Sequence, residues 1–359
     1  MFSLKDKKLA DKIVNDIKKS DIKLKFMHVC GTHQDTLVKH GLDALLKKCG
    51  VEIVQGPGCP VCVTTAREIE EMLNLARTGK IVTSFGDMID VPGEEHSLRS
   101  MKEEGYDVRT VYGIEDAVKI AQNHPEKEVV FIAIGFETTA PTTASVILNK
   151  PPKNFSILCC HRIIPPALKA IVEMGEIKLN GLIEPGHVST IIGIKPYEFL
   201  SKKYKVPQVV AGFEPIDVLM GVWMLVKQIK TGKAFVENEY SRVVHPNGNI
   251  KAKKALNDIF EPCDITWRGF SVIEKSGLRL KSKFEEYDAR KRFNDDLVEI
   301  HLKEFHEPEG CMCGELLRGL VTPFECPLFG QACTPESPIG PCMVSIEGSC
   351  NIGYRYSSK

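Results

Sequence analysis

The sequence lacks the features that direct a protein to a membrane or to nucleic acid. Its 47 basic and 47 acidic side chains balance, so no net field attracts a phosphate backbone or an anionic lipid surface. No run approaches the roughly 18 apolar residues that a transmembrane helix needs. The first residues, MFSLKDKKLADKIVNDIKK, lack the apolar core of a signal peptide. We therefore expect a cytoplasmic protein with neither nucleic acid nor membrane as a partner.

Phosphate-binding loops are also missing. The sequence contains no GxxxxGK[ST] segment, and no GxGxxG segment follows an expected strand. Both loops bring glycine-rich backbone close to a phosphate group. The sequence therefore offers no support for ATP or dinucleotide chemistry.

Cysteine, by contrast, is abundant and unevenly placed. The chain has 13 cysteines, which is many for a compartment that keeps thiols reduced. Cys30, Cys59 and Cys62 lie in glycine-rich turns, and six more fall in the last 49 residues. Thiols so placed are more often metal or redox ligands than core filler. The six are Cys311, Cys313, Cys326, Cys333, Cys342 and Cys350.

Short apolar runs alternate with longer amphipathic runs, such as QDTLVKHGLDALLKK, from residue 24 to about 230. Each parallel crossover needs a connection of helix length, so this alternation predicts an α/β fold. We expect two similar α/β domains with mainly parallel sheets flanked by helices, and a cysteine-rich third domain. The expected segments are 1–23 (N-terminal helix), 24–150 and 151–230 (α/β domains, with a hinge at 148–156) and 231–359. The predicted strands are LKFMHV, VEIVQG, KIVTSF, DVRTVY, EVVFIAIG, FSILCC, NGLIEP and PQVVAG.

The C-terminal cysteines give the strongest chemical signal. They are spaced Cys311-x-Cys313-x12-Cys326-x6-Cys333-x8-Cys342-x7-Cys350, among prolines and glycines that suit loops around a compact centre. A structural zinc site usually uses two close CxxC-type knuckles, and none occurs here. An iron–sulfur cluster tolerates wide, irregular spacing, so the spacing favours a cluster over zinc and over simple reduced thiols. Six thiols exceed the four that one cluster needs, and spacing alone leaves the choice open.

Two turns between strand and helix carry the other candidate thiols. Cys30 is expected at a helix N-terminus, where the dipole would leave the thiol partly ionised, and His33 could act as base, hydrogen-bond partner or metal ligand. In GPGCPVC, Cys59 and Cys62 have the CxxC spacing of a thiol–disulfide centre. A zinc half-site would need a second pair nearby, so redox or transient metal use is the better interpretation.

Polar side chains follow several predicted strands, where sites in open α/β sheets gather. Taken singly, each of these residues is as likely to be a helix cap or a turn residue as a functional residue. Together with Cys30, Cys59 and Cys62 they predict one shared cleft. They are Asp87, Glu137, Thr138, Thr139, His161, His187, Ser189 and Glu214.

The motifs CGTHQ, GPGCPVC, GFETTAP, PGHVS and CMCGELLRG…CPLFGQACTPESPIGPCMVSIEGSC resemble the HypD family of [NiFe]-hydrogenase maturation factors over nearly the whole chain. The resemblance implies two α/β domains around a cleft and a third domain with a [4Fe–4S] cluster. The family's spacing, C-x14-C-x6-C-x16-C, would make Cys313 and Cys342 extra thiols, with Cys313 a rival to Cys311. The implied cluster ligands are Cys311, Cys326, Cys333 and Cys350.

The resemblance also implies a function and its partners. The protein would bind a HypC-type small chaperone, hold the iron that becomes Fe(CN)2CO through Cys30, and receive cyanide from a HypE-type donor. Cys59 and Cys62 would be a redox-active pair served by the cluster. The other catalytic candidates are His33, Glu137, Thr138, Thr139 and His187. The family often shows CGxHxH, whereas this chain reads CGTHQD, which leaves His33 as the candidate histidine.

Three functions remain open at this point. The first is an assembly scaffold with redox capability rather than an independent enzyme. The second is a free-standing thiol–disulfide oxidoreductase that depends on an iron–sulfur cluster. The third is a zinc-stabilised binding protein without redox chemistry.

Overall fold

The computed structural model describes residues 6–357, and its strands include all eight that the sequence predicts. Buried parallel strands read as continuous apolar runs, which is why they are recognisable in the sequence. The strands are β1 (Leu24–His28), β2 (Val51–Gln55), β3 (Ile81–Ser84), β4 (Val108–Thr110), β5 (Val129–Gly135), β6 (Phe155–His161), β7 (Gly181–Pro185), β8 (Gln208–Ala211), β9 (Val236–Asn238), β10 (Phe260–Thr266) and β11 (Val272–Leu280).

Helices connect most of these strands. None of the helices within residues 6–357 has both the length and the apolar character that crossing a membrane requires. Short 3-10 helices cover Lys195–Tyr197, Ser282–Tyr287 and Pro323–Glu325. The α-helices are α1 (Lys7–Lys18), α2 (Gly31–Lys39), α3 (Leu42–Lys48), α4 (Pro60–Val63), α5 (Ala66–Arg77), α6 (Gly86–Ile89), α7 (Leu98–Glu103), α8 (Ile114–Asn123), α9 (Ala140–Leu148), α10 (Ile164–Met174), α11 (Gly186–Ile192), α12 (Glu198–Tyr204), α13 (Pro215–Lys230), α14 (Ile250–Ile259), α15 (Ala289–Arg292), α16 (Asn294–Leu302), α17 (Cys313–Leu317), α18 (Pro341–Val344) and α19 (Ser349–Ser357).

The strands form two parallel sheets and one antiparallel hairpin. The first sheet has the order β2-β1-β7-β8-β9 and the second the order β4-β3-β5-β6. Every pairing within these two sheets is parallel, whereas β10 and β11 pair in antiparallel fashion. The predicted α/β class, with mainly parallel sheets flanked by helices, is confirmed.

The chain divides between the sheets differently from the expected segments. β1 and β2 share a sheet with strands that follow residue 180, while β3 to β6 form the other sheet. The expected boundary at residue 150 separates β5 from β6, which are paired neighbours, so 148–156 joins a helix to the next strand of one sheet. The alternation of strands and helices in the sequence predicts the elements but not which strands pair.

Within the expected segments 1–23 and 231–359, residues 1–5 and 358–359 lie outside the described residues.

One predicted helix is interrupted. The run QDTLVKHGLDALLKK forms α2 and α3, because Gly41 adopts a left-handed conformation with φ of 62° between them. Glycine reaches this conformation without a steric penalty, which makes it a common end point for helices. The break separates α2, which follows Cys30, from α3.

Three buried apolar clusters hold the layers together. Two of them cover the outer faces of the sheets. The third, which we call the inner cluster, contains Met27 and Leu182 from the first sheet and Val130 and Leu158 from the second. Cys59 and Cys62 belong to the same cluster, as do Cys313 and Cys333 from the C-terminal cysteines. These candidate site residues therefore lie at the contact between the two sheets.

Candidate functional site

Cys30 occupies the position immediately before α2, at the carboxyl end of β1. Its backbone is extended and its side chain is 8% exposed. Burial raises the pKa of the Cys30 thiol to about 11, and the backbone N–H of His33 offsets this only partly. The position at a helix N-terminus is confirmed, but the expected partial ionisation is wrong because burial outweighs the helix dipole.

His33 is buried and neutral. Its Nε2–H donates to the carbonyl oxygens of Ala211 (3.2 Å) and Gly212 (2.9 Å), at the carboxyl end of β8. Carbonyls only accept, so Nε2 carries the proton and Nδ1 keeps a lone pair with no partner among the described residues. Burial lowers the pKa of His33 to about 4. The ring lies 4.9 Å from the Phe213 ring, between centroids.

Cys59 and Cys62 are joined in a disulfide, and both are 0% exposed. Cys59 precedes the one-turn helix α4, Pro60 begins it, and the backbone N–H of Cys62 donates to Cys59 Sγ (3.2 Å). Proline suits this first helical position because its fixed φ matches the helix and its missing N–H is not needed there. The sequence left the resting state of the pair open, and the structure has it in the oxidised form.

The disulfide turn lies directly on the backbone of the Cys30 turn. A Cβ atom built on Gly58 would stand 2.2 Å from both the carbonyl carbon of Val29 and the nitrogen of Cys30. The N–H of Gly56 donates to the carbonyl oxygen of His28 (2.7 Å). Glycine at position 58 therefore permits the approach that sets the disulfide beside Cys30.

Replacing Gly58 by alanine is expected to destabilise the protein by about 1–3 kcal/mol, because the added methyl group meets backbone that cannot swing away. Urea unfolding measures the change. Gly86→Ala is the matched control, since a Cβ there meets only Thr110 Cγ2 at 3.8 Å. Equal stabilities for the two variants would contradict the close packing of the turns.

Glu137 follows β5 and faces inward. Its Oε1 accepts from the backbone N–H of Ile164 (3.1 Å), whereas its Oε2 is buried without a partner among the described residues. Burial raises the pKa of Glu137 to about 7. Thr139 is half-buried against Gly135, and Thr138 is exposed. Of these three predicted site residues, Glu137 therefore lies in the interior and Thr138 at the surface, with Thr139 between them in exposure.

His187 also lies at the surface. Its ring stacks on Phe213, with centroids 3.9 Å apart, and the Phe213 ring also contacts the ring of His33. Of the predicted side chains, His187 and Thr138 thus lie at the surface, while Cys30, Cys59 and Glu137 are enclosed.

Two enclosed residues, Glu184 and Tyr197, escaped the sequence analysis. Glu184, near the end of β7, is 0% exposed, and neither of its oxygens has a partner among the described residues. Burial raises the pKa of the Tyr197 phenol well above its usual value, and the nearby Glu184, Glu137 and Cys30 add to the effect. An acidic residue inside the apolar run NGLIEP was the available signal for Glu184. We call the enclosed group the intersheet site: Cys30, Cys59, Cys62, Glu137, Glu184 and Tyr197.

The cysteine-rich segment, residues 311–357, brings its thiols to one small cavity. The backbone N–H of Ile339 donates to Cys333 Sγ (3.3 Å), but burial outweighs this hydrogen bond and raises the pKa of the Cys333 thiol. Cys342 is fully buried and lies against Cys313, but it does not line the cavity. No group of three or more His, Cys, Asp or Glu side chains within residues 6–357 is arranged to hold a single metal ion. The cavity is lined by Cys311, Cys313, Cys326, Cys333 and Cys350.

This segment packs directly on both thiol turns. Helices α17 and α18 contact α4, and α19 contacts α2. A Cβ built on Gly31 would stand 2.4 Å from Glu347 Cβ, so Glu347 lies against the start of α2. Asp87 accepts hydrogen bonds from Ser345 Oγ and the N–H of Ile346, both at 3.2 Å. The strand-end residue Asp87 thus anchors the cysteine-rich segment beside Cys30.

Fold and site together define a two-sheet α/β protein in which a cysteine-rich segment covers thiols at the sheet ends. The family model for HypD, described as the hydrogenase formation hypA family, matches residues 5–357. The chain therefore belongs to the HypD family of hydrogenase maturation factors.

The sequence is also similar to curated relatives over most of their lengths. A provisionally assigned hydrogenase expression/formation protein of Methanocaldococcus jannaschii is 50% identical over 353 residues, covering 98% of this chain and 96% of the relative. The hydrogenase maturation factor HypD2 of Bradyrhizobium diazoefficiens is 44% identical, covering 92% and 89%. The hydrogenase maturation factor HypD of Escherichia coli is 41% identical, covering 93% and 89%.

Proposed function

We propose that the chain is the scaffold on which the iron of a [NiFe]-hydrogenase receives its ligands to become Fe(CN)2CO. It acts in complex with a HypC-type small chaperone, and a HypE-type protein brings cyanide as a thiocyanate. The observation that carries this proposal is the packing of the cysteine-rich segment on both α2 and α4. That packing brings Cys30, the Cys59–Cys62 disulfide and the thiol-lined cavity into one core, which supports the roles proposed for them below.

Cys30 is the proposed iron ligand, shared with the terminal cysteine of the chaperone. Low-spin iron that carries cyanide and carbon monoxide suits a soft thiolate ligand. Because burial holds the thiol protonated, iron binding has to displace a proton from Cys30. Neutral His33, three residues on, has an Nδ1 without a partner in residues 6–357, which makes this atom a candidate ligand or hydrogen-bond acceptor.

Cys59 and Cys62 are proposed to supply the electrons that free cyanide. Cleavage of a thiocyanate to a thiol and cyanide consumes two electrons and one proton. The dithiol gives up two electrons and two protons as its S–S bond forms, so one proton is left for an acceptor. Glu137 and Glu184 stand in the same interior as candidate acceptors or donors.

The cavity of the cysteine-rich segment is proposed to hold a [4Fe–4S] cluster on Cys311, Cys326, Cys333 and Cys350. Such a cluster, when bound, supplies one-electron transfer. The thiols fit this group better than zinc, because they surround a cavity and do not converge on one point. Cys313 lines the same cavity and remains the rival of Cys311.

Infrared spectroscopy of the chain co-expressed with the small chaperone tests the scaffold. We expect cyanide and carbon monoxide stretching bands that disappear in Cys30→Ala and persist in Cys49→Ala, a buried thiol in the outer cluster of the first sheet. An intact complex without these bands, together with rapid disulfide reductase turnover, would favour a free-standing oxidoreductase. The complete burial of the disulfide weighs against that alternative.

A further inference from the structure

Glu184 is a carboxyl group buried inside the first sheet's inner face. Its side chain is 0% exposed, and neither oxygen has a hydrogen-bond partner among the described residues. An ionised carboxylate in such surroundings is very costly. Burial therefore raises the pKa of Glu184 well above its usual value. These surroundings favour the protonated form, whose O–H is not engaged by any described residue.

The strand register places Glu184 on the inner face of the first sheet. Glu184 pairs with Val210 of β8, and Leu182, two residues earlier on β7, pairs with Met27 of β1. Side chains alternate along a strand, so Leu182 and Glu184 share a face. Leu182, Val210 and Met27 all belong to the inner cluster.

The disulfide turn covers that same face. A Cβ built on Gly56 would stand 2.7 Å from Met27 Sδ, and Gly58 lies on the backbone of Val29. Cys59 and Cys62 are themselves members of the inner cluster. Glu184 and the disulfide thus occupy one water-excluded interior.

An electron that enters this disulfide creates negative charge on sulfur away from water, and that charge needs a proton from nearby. A phenol or a thiol with a raised pKa is a poor donor compared with a carboxylic acid. Glu137 differs from Glu184 because the N–H of Ile164 already stabilises its carboxylate. Tyr197 lies close enough to Glu184, Glu137 and Cys30 for these groups to raise its pKa.

We propose that Glu184 is the internal acid that protonates the sulfur released when the Cys59–Cys62 bond takes up an electron. The inference deepens the redox role proposed above for this pair. One electron from a one-electron donor gives a disulfide radical anion. The S–S bond then breaks as one sulfur takes the proton of Glu184, leaving a thiol, a thiyl radical and a carboxylate. A second electron and a solvent proton complete the dithiol, and Glu184 regains its proton from solvent.

Pulse radiolysis of the full chain tests the step, with the carbon dioxide radical anion as electron donor. The visible absorption of the disulfide radical anion decays as sulfur is protonated. We expect Glu184→Gln to slow this decay by about tenfold or more and to make it depend on the solvent proton concentration. In the wild-type protein, the decay rate of the radical anion is expected to be independent of pH near neutrality. Glu70→Gln is the matched control, since Glu70 is buried but accepts from the N–H of Glu94 (2.8 Å).

The proposal would be overturned if the radical anion decayed at the wild-type rate in Glu184→Gln. It would also be overturned if the decay were slowed in Glu137→Gln but not in Glu184→Gln. Should the glutamine variant not fold, infrared spectroscopy of the wild-type chain with ¹³C-labelled glutamate replaces it. A carboxylic acid band that bleaches as the radical anion decays supports the proposal, and an unchanged band contradicts it. The reaction requires neither cluster nor chaperone, so its failure is distinguishable from failure of the scaffold function.

Discussion

Replacing Cys333 by serine is expected to reduce bound iron and acid-labile sulfide to background. Cys333 is buried, lines the thiol cavity and accepts a hydrogen bond from the N–H of Ile339. A serine hydroxyl does not supply the soft thiolate that an iron–sulfur cluster requires. Because ligand binding and folding are coupled in such segments, residues 311–357 should also become more accessible to proteases.

Anaerobic purification, followed by iron, sulfide and zinc analysis and EPR spectroscopy, measures this loss. Cys49→Ser is the control, since Cys49 is equally buried but lies in the outer cluster of the first sheet. A wild-type protein with zinc and no iron would refute the cluster and favour a zinc-stabilised binding protein. Unchanged iron in Cys333→Ser would refute the ligand assignment.

The same assay separates Cys311 from Cys313. The proposed ligand set predicts that Cys311→Ser loses the cluster and that Cys313→Ser retains it. Both thiols reach the cavity, and Gly340 faces both sulfurs, with its built Cβ 2.7 Å and 2.8 Å away. If instead Cys313→Ser loses the cluster and Cys311→Ser retains it, Cys313 is the ligand in place of Cys311, and the proposal of a cluster still holds.

The elements of this fold were predictable, but their pairing was not. β5 reads VVFIAIG and is buried at every position, so its apolar run identifies a central parallel strand. Nothing local to β1 indicates that its neighbour is β7, more than 150 residues later. The division of the chain between sheets is a property of tertiary packing, and the boundary expected at residue 150 missed it.

The site shows the same limit. Turn chemistry located Cys30, Cys59 and Cys62, because glycine and proline mark the backbone that a strand-to-helix turn needs. The contact between Glu347 and Gly31 spans more than 300 residues and left no local trace. The ionisation of Cys30 was misjudged for a related reason: the helix dipole can be read from the local sequence, whereas burial by distant elements cannot.

Two buried groups are expected to give the protein opposite dependences of stability on pH. Burial lowers the pKa of His161 from 6.5 to about 4, so the unfolded chain takes up that proton first and stability is lost as pH falls through this range. Burial raises the pKa of Glu137 from 4.5 to about 7, so the unfolded chain loses that proton first and stability is lost as pH rises. Each shift corresponds to about 3 kcal/mol.

Urea unfolding of variants between pH 4 and pH 8 isolates the two contributions. The free energy of unfolding of wild type minus that of His161→Gln should fall by about 3 kcal/mol as pH drops from 6.5 to 4. The corresponding difference for Glu137→Gln should fall by about 3 kcal/mol as pH rises from 4.5 to 7. His40→Gln, at an exposed position, is the matched control. Parallel profiles for wild type, His161→Gln and Glu137→Gln would show that these groups are not held neutral in the interior.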